Sequence, residues 1–231
     1  MPPSLIRWLN NNIGTQHNKK KRGTKNGSSD AVEKPLIEKP PLAKPHGLDI
    51  PEPPLPETGN YPFQYVRETE IRGQRIKMRP VRADDDQLML ALFDTFSEDT
   101  IYHRFFTHIR MTPEKVKKFT RIDYVRQMAL VAISYEGGER HLIAVARYAA
   151  SEKNRDWAEM AVVVGDPWQG TGVGTAMLNF LFDVAENEGY KGLYGLVHYD
   201  NRAIPRVFEK FTRPVRKKDN GTEVRFEVLL N

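Results

Sequence analysis

Between residues 157 and 188 an apolar strand, a glycine-rich loop and an amphipathic helix follow one another without a break. This succession limits the possible folds more than any other stretch of the chain. Trp157–Val164 is nearly continuous in apolar residues, the pattern of a strand covered on both faces. It leads into Gly165-Asp166-Pro167-Trp168-Gln169-Gly170-Thr171-Gly172-Val173-Gly174-Thr175. From Val173 to Glu188, the residues Val173, Met177, Phe180, Leu181 and Val184 form one helical stripe, closed by Gly189. Backbone amides at a helix N-terminus, unobstructed by side chains, make an anion site suited to phosphate. Two familiar phosphate loops do not fit. A dinucleotide loop starting at Gly170 needs glycine at position 175, which is Thr, and a nucleotide-hydrolase loop needs a lysine that the segment lacks.

The neighbouring segments supply a mixed sheet. Arg75–Val81 reads as a strand, and Arg82–Asp86 as a polar turn opening a helix over Gln87–Phe96. Ile101–Phe106, dense in aromatics and arginine, separates it from a second helix beginning at Thr112-Pro113-Glu114. Met128–Tyr135 and Leu142–Ala150 are strands joined by the turn Glu136-Gly137-Gly138-Glu139. After the long helix come a strand at Leu193–His198, a short helix at Asn201–Phe211 and a last strand at Thr222–Leu230. The order predicts one mixed α/β domain.

That domain is expected to span residues 61–231. Of the 16 prolines, eleven fall within residues 1–62, whereas Trp8 alone among the aromatic residues lies before position 61. With little to bury, residues 1–60 are expected to be a disordered, basic and Pro-rich extension. The run Lys19–Arg22 reads as a solvated arm, not a nucleic-acid or lipid contact. The chain carries 35 Lys and Arg against 30 Asp and Glu, and no cysteine. Disulfides, thiolate metal sites and cysteine nucleophiles are therefore excluded. No apolar run reaches the roughly 18 residues of a membrane span, and the N-terminus lacks a signal-peptide h-region. A soluble, cytoplasmic protein without a membrane or nucleic-acid partner is expected, and no metal.

The spacing Gln169-x-x-Gly172-x-Gly174, between a buried strand and a helix, resembles the pyrophosphate loop of the GNAT superfamily of N-acetyltransferases. Within it, the chain is similar to bacterial Pat-type protein-lysine acetyltransferases. The residues carrying this resemblance are Tyr61-Pro62, Met78-Arg79-Pro80-Val81-Arg82 with Asp84–Asp86, Tyr102-x-Arg104-Phe105-Phe106 and Phe119-x-x-Ile122-Asp123-Tyr124. Met128-Ala129-Leu130-Val131 and Ala158-Glu159-x-Ala161-Val162-Val163-Val164 extend it. The resemblance implies a GNAT fold, with a mostly antiparallel, splayed central sheet flanked by helices. It also implies an acetyl-CoA co-substrate and an acceptor amine, expected to be a protein lysine, with an acyl-CoA synthetase among the candidate acceptors. The extension is too short and Pro-rich for a fused synthetase or cyclic-nucleotide domain, so a free-standing catalytic domain is expected.

An amine near pKa 10 is mostly protonated at neutral pH, so transfer needs a base. Glu159 is the one carboxylate inside an apolar strand, where burial would raise its pKa toward a useful range. The resemblance places the catalytic glutamate there, while an ion pair with Arg147 is the competing role and His198 a reserve base. By the same resemblance, a backbone amide within Val162–Val164 answers the thioester carbonyl and this strand pairs with the pantetheine arm. Gln169, Gly170, Thr171, Gly172, Val173, Gly174 and Thr175 hold the pyrophosphate, and Asn201 contacts the cofactor arm. At position 208, also expected to line the cofactor site, many members carry a thiolate-protonating tyrosine; here it is Phe208. Tyr102 and Arg104 fall where the superfamily builds its acceptor wall, and Phe105 and Phe106 read as core. Lacking cysteine, the chain is expected to transfer directly in a ternary complex. Acetylation of a small amine or amino acid, and a non-catalytic acyl-CoA sensor, are the alternatives.

Overall fold

The computed structural model describes residues 61–106, 109–151, 154–219 and 221–230. The extension expected over residues 1–60 lies outside the described residues. Thirteen regular elements follow in order: β1 (Arg67–Ile71), β2 (Gln74–Pro80), α1 (Asp86–Asp94), α2 (Glu98–Phe105), α3 (Pro113–Thr120), β3 (Gln127–Glu136), β4 (Glu139–Ala150), β5 (Trp157–Val164), α4 (Val173–Asn187), β6 (Gly192–His198), α5 (Ala203–Phe208), β7 (Val215–Asp219) and β8 (Glu223–Leu229).

The strands form one sheet in the order β1-β2-β3-β4-β5-β6-β8-β7. Every pairing is antiparallel except β5 with β6. This is the mixed sheet that the element order predicts, with the mostly antiparallel, splayed arrangement that the family resemblance implies. The β3–β4 hairpin turns through Gly137 and Gly138, both at positive φ (58° and 86°), as a two-residue connection twisted with its strands requires. Strands β3–β5 bury both faces. Met128, Leu130, Ala146, Tyr148, Ala158 and Met160 pack on α4 in one core. Ala129, Val131, Ile133, Val145, Ala161 and Val163 pack under α1, α2 and α3 in the other.

Several residues that carry the family resemblance hold the frame together. Arg79, 1% exposed, makes two bonds of 2.7 and 2.8 Å to Asp85, itself 2% exposed, and Asp85 also accepts from the Arg82 amide. The carboxylate thus fastens the end of β2 to the start of α1. Tyr61 and Tyr124 donate to the carbonyls of Pro80 and Val81 at 2.9 and 2.8 Å. Asp123 accepts from the amides of Val125, Arg126 and Gln127, turning the chain into β3.

Two expectations need correction. Ile101–Phe105 belongs to a third helix, α2, started by Ser97, whose hydroxyl accepts from the Thr100 amide. Acidic Glu98 and Asp99 occupy its first turn, where the helix dipole favours them. Phe105 is core at 1% exposure, but Phe106 caps α2 in the left-handed conformation (φ 56°) and is only half-buried.

Candidate functional site

Strands β5 and β6 register over three pairs alone: Trp157–Gly192, Ala158–Leu193 and Glu159–Tyr194. Beyond Glu159 they part, while β5 stays paired with β4 as far as Val164. The Gly165 amide donates to Ile143 O. Strand alternation therefore turns the amides of Ala161 and Val163 toward β4, and those of Val162 and Val164 into the gap. The gap opens into a cavity of about 380 Å³, within the range of small-molecule sites. From the apex at Glu159 to Val164, five residues of strand span about 17 Å.

At the far end of the gap lies the glycine loop. Gly172 adopts φ 104° as the residue before α4, and the first intrahelical bond runs from the Ala176 amide to Gly172 O. The amides of residues 173–175 thus precede the helical ladder, as at any helix start, and carry the positive end of its dipole. A Cβ at Gly174 would stand a tight 3.3 Å from the Val164 side chain, so this glycine lets the helix start lie close against β5. Arg72 donates to Gly170 O at 2.8 Å and pins the loop from β1–β2. The Gln169 amide group bonds Val164 O, Asp166 and Thr100, tying the loop to both β5 and α2.

Most of the residues named from sequence meet here. Val162, Val163, Val164, Gln169, Gly170, Gly172, Gly174, Thr175, Asn201, Phe208 and Arg104 line the cavity, joined by Arg202 and Lys210. Thr171, Val173, Tyr102 and Glu159 stand outside its lining, although Thr171 and Val173 belong to the same loop. Asn201 accepts from the amides of Ala203 and Ile204 and so caps α5. Phe208 stacks on Phe226 with centroids 4.6 Å apart and has no proton to give.

Glu159 is 4% exposed at the apex, beside the cavity wall. It opposes Ala149, and Arg147 lies two residues along β4, so Glu159 and Arg147 share the face beneath α2. The competing ion pair is not formed. Arg147 donates to Gln127 Oε1 at 3.1 Å, and its Nε and remaining terminal nitrogen have no partner among the described residues. The Tyr194 hydroxyl stands 3.4 Å from Glu159 Oε2. Burial brings Arg104 down to about 10, opposed by the nearby charge of Glu159. A guanidinium at that value remains charged at neutral pH. Burial, and then the like charge of Arg104, bring Arg147 to about 9.

A cluster that sequence reasoning did not assemble closes the other side. Helix α2 bridges the ends of β5 and β6. Asp166, after β5, accepts from the Ser97 amide (3.0 Å) and the Thr100 hydroxyl (2.7 Å). Asp200, after β6, meets His198 Nδ1 at 2.6 Å and His103 Nε2 at 2.9 Å through one oxygen. His198 Nε2 is 3.3 Å from the Tyr102 hydroxyl. With Nδ1 of His198 turned to Asp200, its Nε2 faces the Tyr102 hydroxyl. His103 lines the cavity and His198 does not. His103 and Asp200 are 97 positions apart, and no spacing in the sequence signals their meeting.

Among the described residues, no group of His, Asp and Glu is arranged to hold a metal ion, and no helix is long and apolar enough to cross a membrane.

Residues 75–211 match the family model described as the acetyltransferase (GNAT) domain. Acetyltransferase PA5475 of Pseudomonas aeruginosa is 31% identical over 133 residues, 57% of this chain and 71% of that protein. Acetyltransferase Pat of Mycolicibacterium smegmatis is 28% identical over 149 residues, 64% of this chain but 44% of the relative, so the match spans less than half of that longer protein. Among solved structures, the GNAT domain of S. lividans PAT superposes with a TM-score of 0.67 at 28% identity, covering 74% of this chain and all of that domain. Family model, relatives and splayed sheet agree: this chain belongs to the GNAT acetyltransferases.

Proposed function

We propose that residues 61–231 form a catalytic domain that transfers the acetyl group of acetyl-CoA to a protein lysine by direct attack, with Glu159 as the base. The observation that carries this reading is the gap between β5 and β6. It combines a strand edge with inward-facing amides at Val162 and Val164 and a helix-start anion site beside Val164, at the end of about 17 Å of strand from the apex. A pantetheine arm laid along β5 adds a strand to that edge. The Val162 amide then faces the thioester carbonyl and stabilises the oxyanion as the amine attacks. Gln169 to Thr175 receive the pyrophosphate, with Arg202 and Lys210 on the cavity wall adding positive charge. Among GNAT proteins the acyl donor is acetyl-CoA. The amine keeps its electron pair once its proton has passed to Glu159, whose charge lies near Arg104 of the cavity wall. Likeness to the Pat type supports lysine as the acceptor.

The test is Glu159→Gln. Turnover is expected to fall by about 100-fold or more, while CoA affinity measured by calorimetry stays within about twofold. Undiminished turnover rejects Glu159 as the base. A thiol-release assay offering protein lysines beside polyamines and free amino acids tests the acceptor; preference for a small amine rejects the lysine assignment.

A further inference from the structure

Once the amine has attacked, the C–S bond breaks and its electron pair stays on sulfur, so the thiolate needs a proton. Phe208 cannot supply it, and Glu159 has just accepted one at the apex. On the opposite wall stands His103, in the lining of the same cavity, with its Nε2 held by Asp200 at 2.9 Å. Among the described residues its other ring nitrogen, Nδ1, meets no hydrogen-bond partner. A carboxylate on one imidazole nitrogen fixes the ring and leaves the other nitrogen able to act as an acid. The position along the gap also fits. Counted from the Tyr194–Glu159 pair, His198 stands level with Val163 across the gap, and Asp200 follows two residues later.

Resting on the acetyl-transfer reading above, we propose that His103 is a catalytic residue, the acid that protonates the CoA thiolate, with Asp200 as its positioning residue. The imidazolium gives its Nδ1 proton to sulfur and becomes neutral. It recovers a proton from solvent through a side chain that is 31% exposed. The sum is one ammonium and one thioester giving one amide, one thiol and one released proton. An ordinary imidazolium is a stronger acid than an alkyl thiol, so the transfer runs downhill.

Other charged groups share this environment. From β6 and its loop come His198, whose ring centroid is 6.4 Å from that of His103, and Asp200. From α2 come Tyr102, at 6.0 Å, and Arg104. Glu223 of β8 is in register with His198. Arg202 and Lys210 line the same cavity from the α5 side. Asp200 is held below the ordinary carboxylate value, chiefly by its bond from His198 and also by that from His103.

The experiment compares the full chain with His103→Gln and Asp200→Asn, after a thermal melt confirms folding. Glutamine retains an N–H for Asp200, so a purely structural clamp would survive, but it cannot carry the proton. His103→Gln is expected to lower kcat by about 100-fold, with calorimetric CoA affinity unchanged and the basic limb of the kcat–pH profile abolished. Asp200→Asn removes the negative charge beside the ring, so it moves that limb to lower pH without abolishing it. A His103→Gln enzyme within about threefold of wild type, with an unmoved basic limb, overturns the assignment. If His103→Gln does not fold, an unmoved limb in Asp200→Asn overturns it instead. Failure of the wild-type chain to bind CoA is a separate outcome, and it removes the acetyl-transfer reading itself.

Discussion

Gly172 sits at φ 104°, ψ −10° where the loop enters α4, and a Cβ there would meet only the Ile71 side chain, at an unstrained 3.9 Å. Gly172→Ala therefore introduces a backbone penalty with almost no clash. A left-handed L-residue costs about 1–2 kcal/mol. Two outcomes are possible for that energy: the loop keeps its shape and the fold loses stability, or the loop relaxes and recovers its shape only when the pyrophosphate binds. Besides the bonds of Gln169 and Arg72, residues 165–171 are joined by short-range bonds among themselves. Among the described residues the Gly172 carbonyl is bonded by the Ala176 amide of its own helix, so relaxation at Gly172 is expected. The penalty then appears in CoA binding as a Kd raised by about 5- to 30-fold, with little change in the melting temperature of the free protein. Gly189→Ala is the control. It sits at φ 84° past the other end of α4 with nothing within 4 Å of its added Cβ. The same strain there should lower the melting temperature by about 2–4 °C per kcal/mol and leave CoA affinity alone. Calorimetry and thermal melts of both variants decide the matter. A Gly172→Ala protein that binds CoA as well as wild type would refute the claim that this bend shapes an anion site.

Two further predictions concern the frame. Asp85→Asn leaves Arg79 charged in a site that is 1% exposed, and is expected to destabilise the fold by about 3–5 kcal/mol in urea unfolding. The double variant Arg79→Met, Asp85→Leu should lose much less, and equal losses would refute the argument from the lost countercharge. Asp86 is raised by its own burial but brought below its ordinary value of 3.8 by Arg121, at 3.0 Å, and Thr120. Its stabilising contribution is complete above pH 4 or so and disappears as pH falls through its lower folded value. Asp86→Asn should thus be less stable than wild type at pH 7 and converge on it near pH 2; a gap that widens on acidification contradicts this.

The strand Trp157–Val164, the loop and α4 were legible because burial on both faces leaves an apolar run broken only by Glu159, and the loop's backbone geometry favours glycine at Gly172. Edge strands β1 and β7 were not. Their sequences, RETEI and VRKKD, are mostly exposed and are strands because β2 and β8 offer them hydrogen bonds. Helix α2 was hidden for a related reason: eight residues give little periodicity, and its aromatic run overshadowed the Ser97 cap. Whether Glu159 faces Arg147 depended on a single residue of register in the loop between β4 and β5, which apolar content on both sides leaves open. The Asp200 cluster depends on two chain segments meeting only in the folded sheet, which no local pattern encodes.

The parallel junction between β5 and β6 has a mechanical meaning. Strands β6, β8 and β7 are bonded to the rest of the sheet through three residue pairs at one end of a wedge. A molecule filling that wedge acts as mortar between two leaves, since its amide-bearing arm contributes the cross-links that the strands forgo. Cohesion between the leaves then grows with ligand concentration by mass action. The supply of coenzyme A would set how firmly this protein holds together as well as how fast it works.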